Sequence, residues 1–350
     1  MKLTLFALLL LISNCIYAQT IDKQKLDDYL NCIESSNLGI GSISIFNAGK
    51  EVYSKDFGQK NLSNGGGGQA NQYHVGSVTK MFTATLIFKL IEDGQFKLDD
   101  KLAAFYPEIP NAQKITIKNL LGHTSGLGSY VVKDGEVWVT EKVTEKAILD
   151  LIIKQGVSFE PGEKVDYSNT GYYLLAKIIE KKYKKPYHEL INKLIVKPLK
   201  LKSLASIKSN PQHVYAPYEY VNKSWSEKKD LDFLNVIGVG DIVSTPKELN
   251  IFNENLFRGK IIKTESLQMM MPIVGKETWG RGMAICDFDG ITFYGHGGDT
   301  LGSHTVLIYN PEADISIAYA TNGERIVKED FIKNIIYVIY NKPFQLPVVK

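Results

Sequence analysis

The strand-forming stretches of this chain stand at its two ends, with a long helical block between them, and this placement constrains the fold more than any other feature. Near the start, residues 40–46 alternate like a half-buried strand and residues 51–57 give a second, so a hairpin follows a helical stretch at 21–33. Near the end, residues 281–286, 291–295, 303–309 and 315–321 alternate or run apolar, separated by the turns Asp289-Gly290 and Asn310-Pro311. Connections this short build antiparallel pairs. Residues 329–340 close the chain with an amphipathic helix. A sheet that draws strands from both ends makes the intervening block an insertion. The expected fold class is therefore α+β: an antiparallel β-sheet flanked by N- and C-terminal helices, with an inserted mainly α-helical domain. Residues 19–75 and 236–350 are assigned to the sheet domain and 76–235 to the helical one, where 78–92, 116–121, 144–155, 170–182 and 187–196 carry helical spacing. At Thr245-Pro246-Lys247-Glu248 a capping threonine and a first-turn proline open a further helix.

With 350 residues, 44% of them hydrophobic, the chain can bury a sizeable core. The net charge of +3 is spread along the length, and no basic block interleaves with aromatics. That composition speaks against nucleic acid and for a small-molecule or peptide substrate. Residues 1–18 read as a signal peptide: Lys2, an apolar run at 3–12 too short to span a bilayer, and a cleavage point after Ala18. A periplasmic or secreted protein with no transmembrane segment is expected. Lipid anchoring through Cys15 is disfavoured by the Asn14 before it. Cys32 and Cys286 then remain, and two buried thiols are favoured over a bridge. The six histidines show no metal-ligand spacing such as His-Glu-x-x-His, and no cofactor signature appears, so neither metal nor cofactor is expected. The glycines at 65–68 lack a phosphate-loop ending and read as a loop. Oligomeric state is not legible.

Three clusters carry candidate chemistry. Ser-x-x-Lys occurs at Ser77, Ser226 and Ser244, so the pattern alone decides nothing. Ser226 lies in a polar stretch, and Ser244 is separated from Lys247 by the helix start at Pro246. Ser77, in contrast, opens an apolar helix, and Lys80 shares its face one turn on. A hydroxyl there sits among unpaired N–H groups at the positive end of the helix dipole. It becomes a nucleophile only if a base removes its proton, and a lysine can do so if burial keeps it neutral. The second cluster, Tyr167-Ser168-Asn169, precedes a helix that Asn169 is placed to cap. The third is Tyr294-Gly295-His296-Gly297-Gly298-Asp299, where glycines admit a close backbone or ligand. Each taken alone also reads as ordinary structure: a cap, a core tyrosine, a bulged edge strand.

Taken in order, the three clusters resemble the serine β-lactamase and penicillin-binding-protein superfamily, in its class C-like branch of D,D-carboxypeptidases, D-aminopeptidases and carboxylesterases. Supporting text runs from Ile115-Thr116-Ile117 to Gly122-His123-Thr124-Ser125-Gly126, through Phe159-Glu160-Pro161-Gly162, to the segment at 240–246 and Asn310-Pro311. The resemblance covers essentially the whole mature chain. It implies Ser77 as nucleophile, Lys80 and Tyr167 sharing the proton transfer, and Asn169 orienting Lys80 and the substrate amide. It further implies His296 completing the electrostatics, Gly297 and Gly298 lining the substrate, and the backbone N–H groups of Ser77 and Asp299 as oxyanion hole. His123 and Ser125 hold a loop in this reading, and the Asp299 carboxylate is turned to solvent. An exported hydrolase of peptidic amides or esters follows. An acylating penicillin-binding or sensing protein and a class C-like β-lactamase are the alternatives. His296-Gly297-Gly298 departs from the Lys-Ser/Thr-Gly of the penicillin-recognising enzymes, which weakens carboxylate recognition. If the imidazole must be cationic, activity declines where histidine loses its proton.

Overall fold

The computed structural model describes residues 21–62 and 70–347, so the expected signal peptide, Cys15 and the glycine run at 65–68 lie outside the described residues. Its centre is a six-stranded sheet. From one edge to the other the strands are Ala284–Phe288, Ile291–Asp299, His304–Asn310, Ile315–Glu324, Gly39–Asn47 and Lys50–Phe57, antiparallel throughout. The chain leaves the sheet after Phe57 and re-enters it at Ala284, and the two ends meet where Gly39–Asn47 pairs with Ile315–Glu324. The mixed helix-and-antiparallel-sheet fold is the class expected.

Alternation decides what covers each face. Ile43 and Ile45 share an apolar layer with Ile315, Ile317 and Tyr319, and Leu26, Tyr29, Ile33, Phe331 and Ile335 of the terminal helices Lys23–Ser35 and Lys328–Ile339 pack into it. A second and larger layer holds the helices Thr79–Glu92, Asn169–Tyr183 and Pro246–Phe257, with Leu307 and Ala318 of the sheet at its edge. At about 25 cal/mol per Å² of apolar surface removed from water, such layers supply the main driving force for folding.

Helix ends follow the sequence closely in places. Thr245 accepts the N–H of Glu248 at 3.2 Å, and Pro246 opens the helix. The Glu248 carboxylate does not close a capping box; it accepts the N–H groups of Lys202, Ser203 and Leu204, which no helix-start signal announces. The block between the sheet strands also holds short strands that period-2 reading passes over, because two- to four-residue pairings carry too few alternations. They include Tyr73–His74, which pairs with Ile242–Ser244, and the hairpin of Tyr218–Val221 with Ser224–Glu227, which takes in Ser226. Cys32 and Cys286 are unpaired and partly buried, and burial pushes the Cys286 thiol up to about 11. Among the described residues no helix is long and apolar enough to cross a membrane.

Candidate active site

Ser77 stands in a short 3-10 turn, Gly76–Val78, that feeds directly into the helix Thr79–Glu92. Two anchors hold that turn: Val75 N–H donates to Ile242 O at 3.0 Å, and the Thr79 hydroxyl accepts Ile242 N–H at 3.2 Å. One turn on, Lys80 is fully buried. Its Nζ lies 2.8 Å from Ser77 Oγ and 3.2 Å from the carbonyl of Val239. No carboxylate is among its hydrogen-bond partners. Burial therefore acts unopposed and holds the amine well below its ordinary range, which favours the neutral form.

The Val239 carbonyl is aimed by a turn at residues 238–241. Gly238 takes φ of +74°, a left-handed value. The buried Asp241 carboxylate clamps this turn by accepting Gly238 N–H at 2.6 Å and the Ser206 hydroxyl, and desolvation pushes it up to about 6.

Tyr167 arrives on a different segment. Thr116 caps the helix Ile117–Leu121, after which His123 takes φ of +57°. From there His123 O accepts Asp166 N–H at 2.8 Å, and its Nδ1 accepts Ser168 N–H at 3.2 Å. Further backbone bonds, Ser158 N to Gly126 O at 2.9 Å and Gly162 N to Thr124 O at 2.7 Å, close the 122–127 loop onto the Glu160-Pro161-Gly162 turn. These two stretches thus form one frame that presents Tyr167. The Tyr167 ring stacks on His123 at 4.3 Å, with Lys80 Nζ 4.9 Å from its centroid. Its phenol is near enough to Ser77 for the serine to favour the phenolate. Desolvation dominates, however, and holds the phenol protonated, its oxygen buried without an aligned hydrogen-bond partner.

The third cluster occupies the end of the strand Ile291–Asp299. Here the strand backbone crosses the 75–77 backbone so closely that a Cβ on Gly298 would be driven into Val75 O and lie 3.0 Å from Ser77 N. A Cβ on Gly76 would lie 2.8 Å from Asp299 N. Glycine at both positions is therefore a packing requirement, and it brings the Ser77 and Asp299 amides to one place. Gly297, exposed, leaves the neighbouring space open.

His296 is buried, and its ring lies 6.1 Å from that of Tyr167 and 5.1 Å from that of Trp279. Desolvation pushes it down to about 3, so at neutral pH it is uncharged and not the pH-dependent cation expected. Asp299 is likewise not a carboxylate merely turned to solvent. It pairs with Lys328 at 2.5 Å and with His304 at 2.7 Å, and these partners hold it down at about 2 against the cost of burial.

Ser77, Lys80, Tyr167, His296 and the Asp299 backbone thus lie close to one another. Asn169 begins the helix Asn169–Tyr183 and does not cap it; Ser168 is the cap residue, and Asn169 Nδ2 donates to Ser129 Oγ at 3.1 Å. Ser125 accepts Leu127 N–H at 3.3 Å, within the loop. Sequence reasoning passed over Trp279, whose ring also lies 5.2 Å from Tyr167 and 5.3 Å from His123. A tryptophan beside Gly280, two residues from the arginine that opens an expected strand, was the only available signal.

The family model described as Beta-lactamase matches residues 36–338, and the chain belongs to that family. It is a serine hydrolase of the β-lactamase fold. Among curated relatives, the putative penicillin-binding protein PbpX of Bacillus subtilis (strain 168) is 27% identical, with 93% of this chain and 80% of the relative covered. The teichoic acid D-alanine hydrolase of Staphylococcus aureus is 26% identical, with 92% and 79% covered. Among solved structures, the D-amino acid amidase of Ochrobactrum anthropi SV3 superposes with a TM-score of 0.78 at 22% identity, covering 91% of this chain and 99% of that one. The octameric penicillin-binding protein homologue of Pyrococcus abyssi also reaches 0.78, at 27% identity, covering 92% and 78%.

Proposed function

We propose that this protein is an exported hydrolase that cleaves esters and amides of D-amino-acid type through a covalent acyl-Ser77. The observation that carries the reading is the 2.8 Å contact between Ser77 Oγ and a buried lysine amine with no anionic partner. Burial favours the free-base form of such an amine, and in that form it can take the serine proton directly. Ser77 Oγ attacks the substrate carbonyl as its proton passes to Lys80, and the oxyanion forms against the N–H groups of Ser77 and Asp299. Tyr167, protonated and beside Ser77, relays the proton to the departing amine or alcohol. A water then repeats the sequence to release the acid. Asn169 holds the Ser129 side of the cleft, and Gly297 with Gly298 gives the acyl chain room. Export is supported by the apolar run at residues 3–12, and the substrate class by the amidase and D-alanine hydrolase among the relatives.

The test is turnover of 4-nitrophenyl butyrate, with intact mass after exposure to a fluorophosphonate. Wild type should hydrolyse the ester and gain one adduct, and Ser77→Ala should lose both. Hydrolysis unchanged in Ser77→Ala would overturn the reading. An adduct without turnover would favour the acylating, sensing alternative, which the penicillin-binding relative keeps in view.

A further inference from the structure

Neutrality alone does not make Lys80 a base for Ser77, because a free amine carries two N–H groups and a single lone pair. Rotation about its Cε–Nζ bond offers the lone pair three staggered directions, and only the one facing Ser77 Oγ can receive the proton. Nζ has two hydrogen-bond partners, Ser77 Oγ at 2.8 Å and the Val239 carbonyl at 3.2 Å. A carbonyl only accepts, so the direction toward Val239 must hold an N–H. The negative face of the Tyr167 ring, whose centroid lies 4.9 Å from Nζ, draws the second. The lone pair is left for Ser77. The other groups that feel this amine, the Tyr172 ring at 5.8 Å and the imidazoles of His123 and His296, make no hydrogen bond to it.

The aim of the Val239 carbonyl therefore decides whether the amine can act, and one side chain fixes it. Val239 lies inside the turn that Asp241 closes, where Gly238 N–H donates to Oδ1 at 2.6 Å and the Ser206 hydroxyl donates to Oδ2. Two further bonds anchor the ends of this turn. Thr83 Oγ1, on the helix that carries Lys80, donates to Gly238 O at 2.7 Å, and Ile207 N–H donates to Asp241 O at 2.8 Å. Asp241 is fully buried, and the ionisable side chains that share its field, Glu180, Tyr130 and Tyr187, include no cation. A carboxylate kept there against the cost of desolvation, with both oxygens engaged in holding the turn, indicates a demand for accurate placement at Val239.

We infer that Asp241 is a positioning residue for the general base: by locking the 238–241 turn it holds Val239 O against Lys80 Nζ, and so turns the lysine lone pair toward Ser77 Oγ. This rests on the acyl-enzyme reading above.

The test is the pH dependence of kcat and KM on 4-nitrophenyl butyrate for the full chain and three variants. Asp241→Ala leaves Gly238 N–H without its acceptor, and its plateau should fall by about tenfold or more, the worth of one charge-assisted hydrogen bond, in kcat rather than KM. Its acid limb should also move to lower pH, because the Lys80 ammonium loses an aligned acceptor and holds its proton less tightly. A mere loss of folded enzyme would scale the whole profile and leave the limb in place. Asp241→Asn keeps an acceptor for Gly238 and should restore the plateau to within about fivefold of wild type. Ser206→Ala removes only the outer bond, so its plateau should drop about threefold with a smaller shift in the same direction, and it decides the matter if Asp241→Ala does not fold. Full activity in either alanine variant, a limb that stays put in whichever of them folds, or an asparagine variant no faster than Asp241→Ala would overturn the positioning role and leave the acyl-enzyme reading standing. Turnover independent of Ser77 would overturn both.

Discussion

His296 and Asp299 stand three residues apart on one strand, yet they belong to opposite electrostatic regimes. Around His296, Lys80 and Tyr167, polar groups are buried with few partners, and desolvation sets every proton affinity: the lysine and the imidazole are pushed down, the phenol up. Around Asp299, Lys328 and His304, charges meet partners at hydrogen-bond distance, and Asp299 is held ionised. Burial without pairing poises groups to exchange protons; pairing fixes them in place. In the proposed mechanism the first regime carries the chemistry and the second holds the strand whose Asp299 amide serves the oxyanion.

The sharpest way to break this contrast is Lys80→Met. Activity on 4-nitrophenyl butyrate should fall by about 10³-fold or more, as when one member of a nucleophile–base set is removed. Stability should hold or rise, because a buried amine without a counter-ion is replaced by an apolar chain of similar length. The linkage sign agrees. Lys80 holds its proton less tightly in the fold than when unfolded, so wild-type stability should climb with pH between its depressed value and its ordinary one. Urea melts of both proteins should show that the variant lacks this component of the climb. A loss of both activity and stability would mean that Lys80 is structurally paired after all.

Next in size is Gly298→Ala. Its methyl has no space beside Val75 O, so we expect a loss of about 2–3 kcal/mol, read in a denaturant melt, together with slow acylation. If the variant is as stable and as fast as wild type, the backbone crossing is not what positions the oxyanion amides.

The pH profile separates the regimes without mutation. Turnover should rise as Lys80 loses its proton and show no fall through the ordinary histidine range, since His296 is already neutral above about 3. A fall in rate centred near pH 6.5 would restore the cationic imidazole.

The smallest effect belongs to the paired corner. Asp299→Asn should cost about 0.5–1 kcal/mol near neutral pH, since the side chain is half exposed and screened. Because the folded value is depressed to about 2, this contribution is present above the unfolded value of about 4. It should fade as pH falls from about 4 toward 2. A difference between variant and wild type that is constant down to pH 2 would contradict the ion-pair origin.

Legibility from sequence divides along similar lines. Strands with several alternations, the Thr245 cap and the glycines of the third cluster could be read because local pattern and local geometry coincide there. The charge state of His296 could not, since it depends on burial beneath residues distant in sequence. Trp279 escaped notice because it meets Tyr167 and His123 only through tertiary packing. Asn169 was misplaced by one position for a simpler reason: Ser168 takes the cap position, although its hydroxyl donates to Gly128 O and makes no capping bond.

The pairing of Gly39–Asn47 with Ile315–Glu324 has a consequence in time. A chain made from its amino end must wait until residues 315–324 emerge before the central seam of its sheet can zip. Until then the hairpin keeps one side unclosed, and loop closure over so long a separation is slow. Assembly of the sheet should therefore be abrupt, with Ser77 and His296 brought together only as the strands after residue 284 arrive.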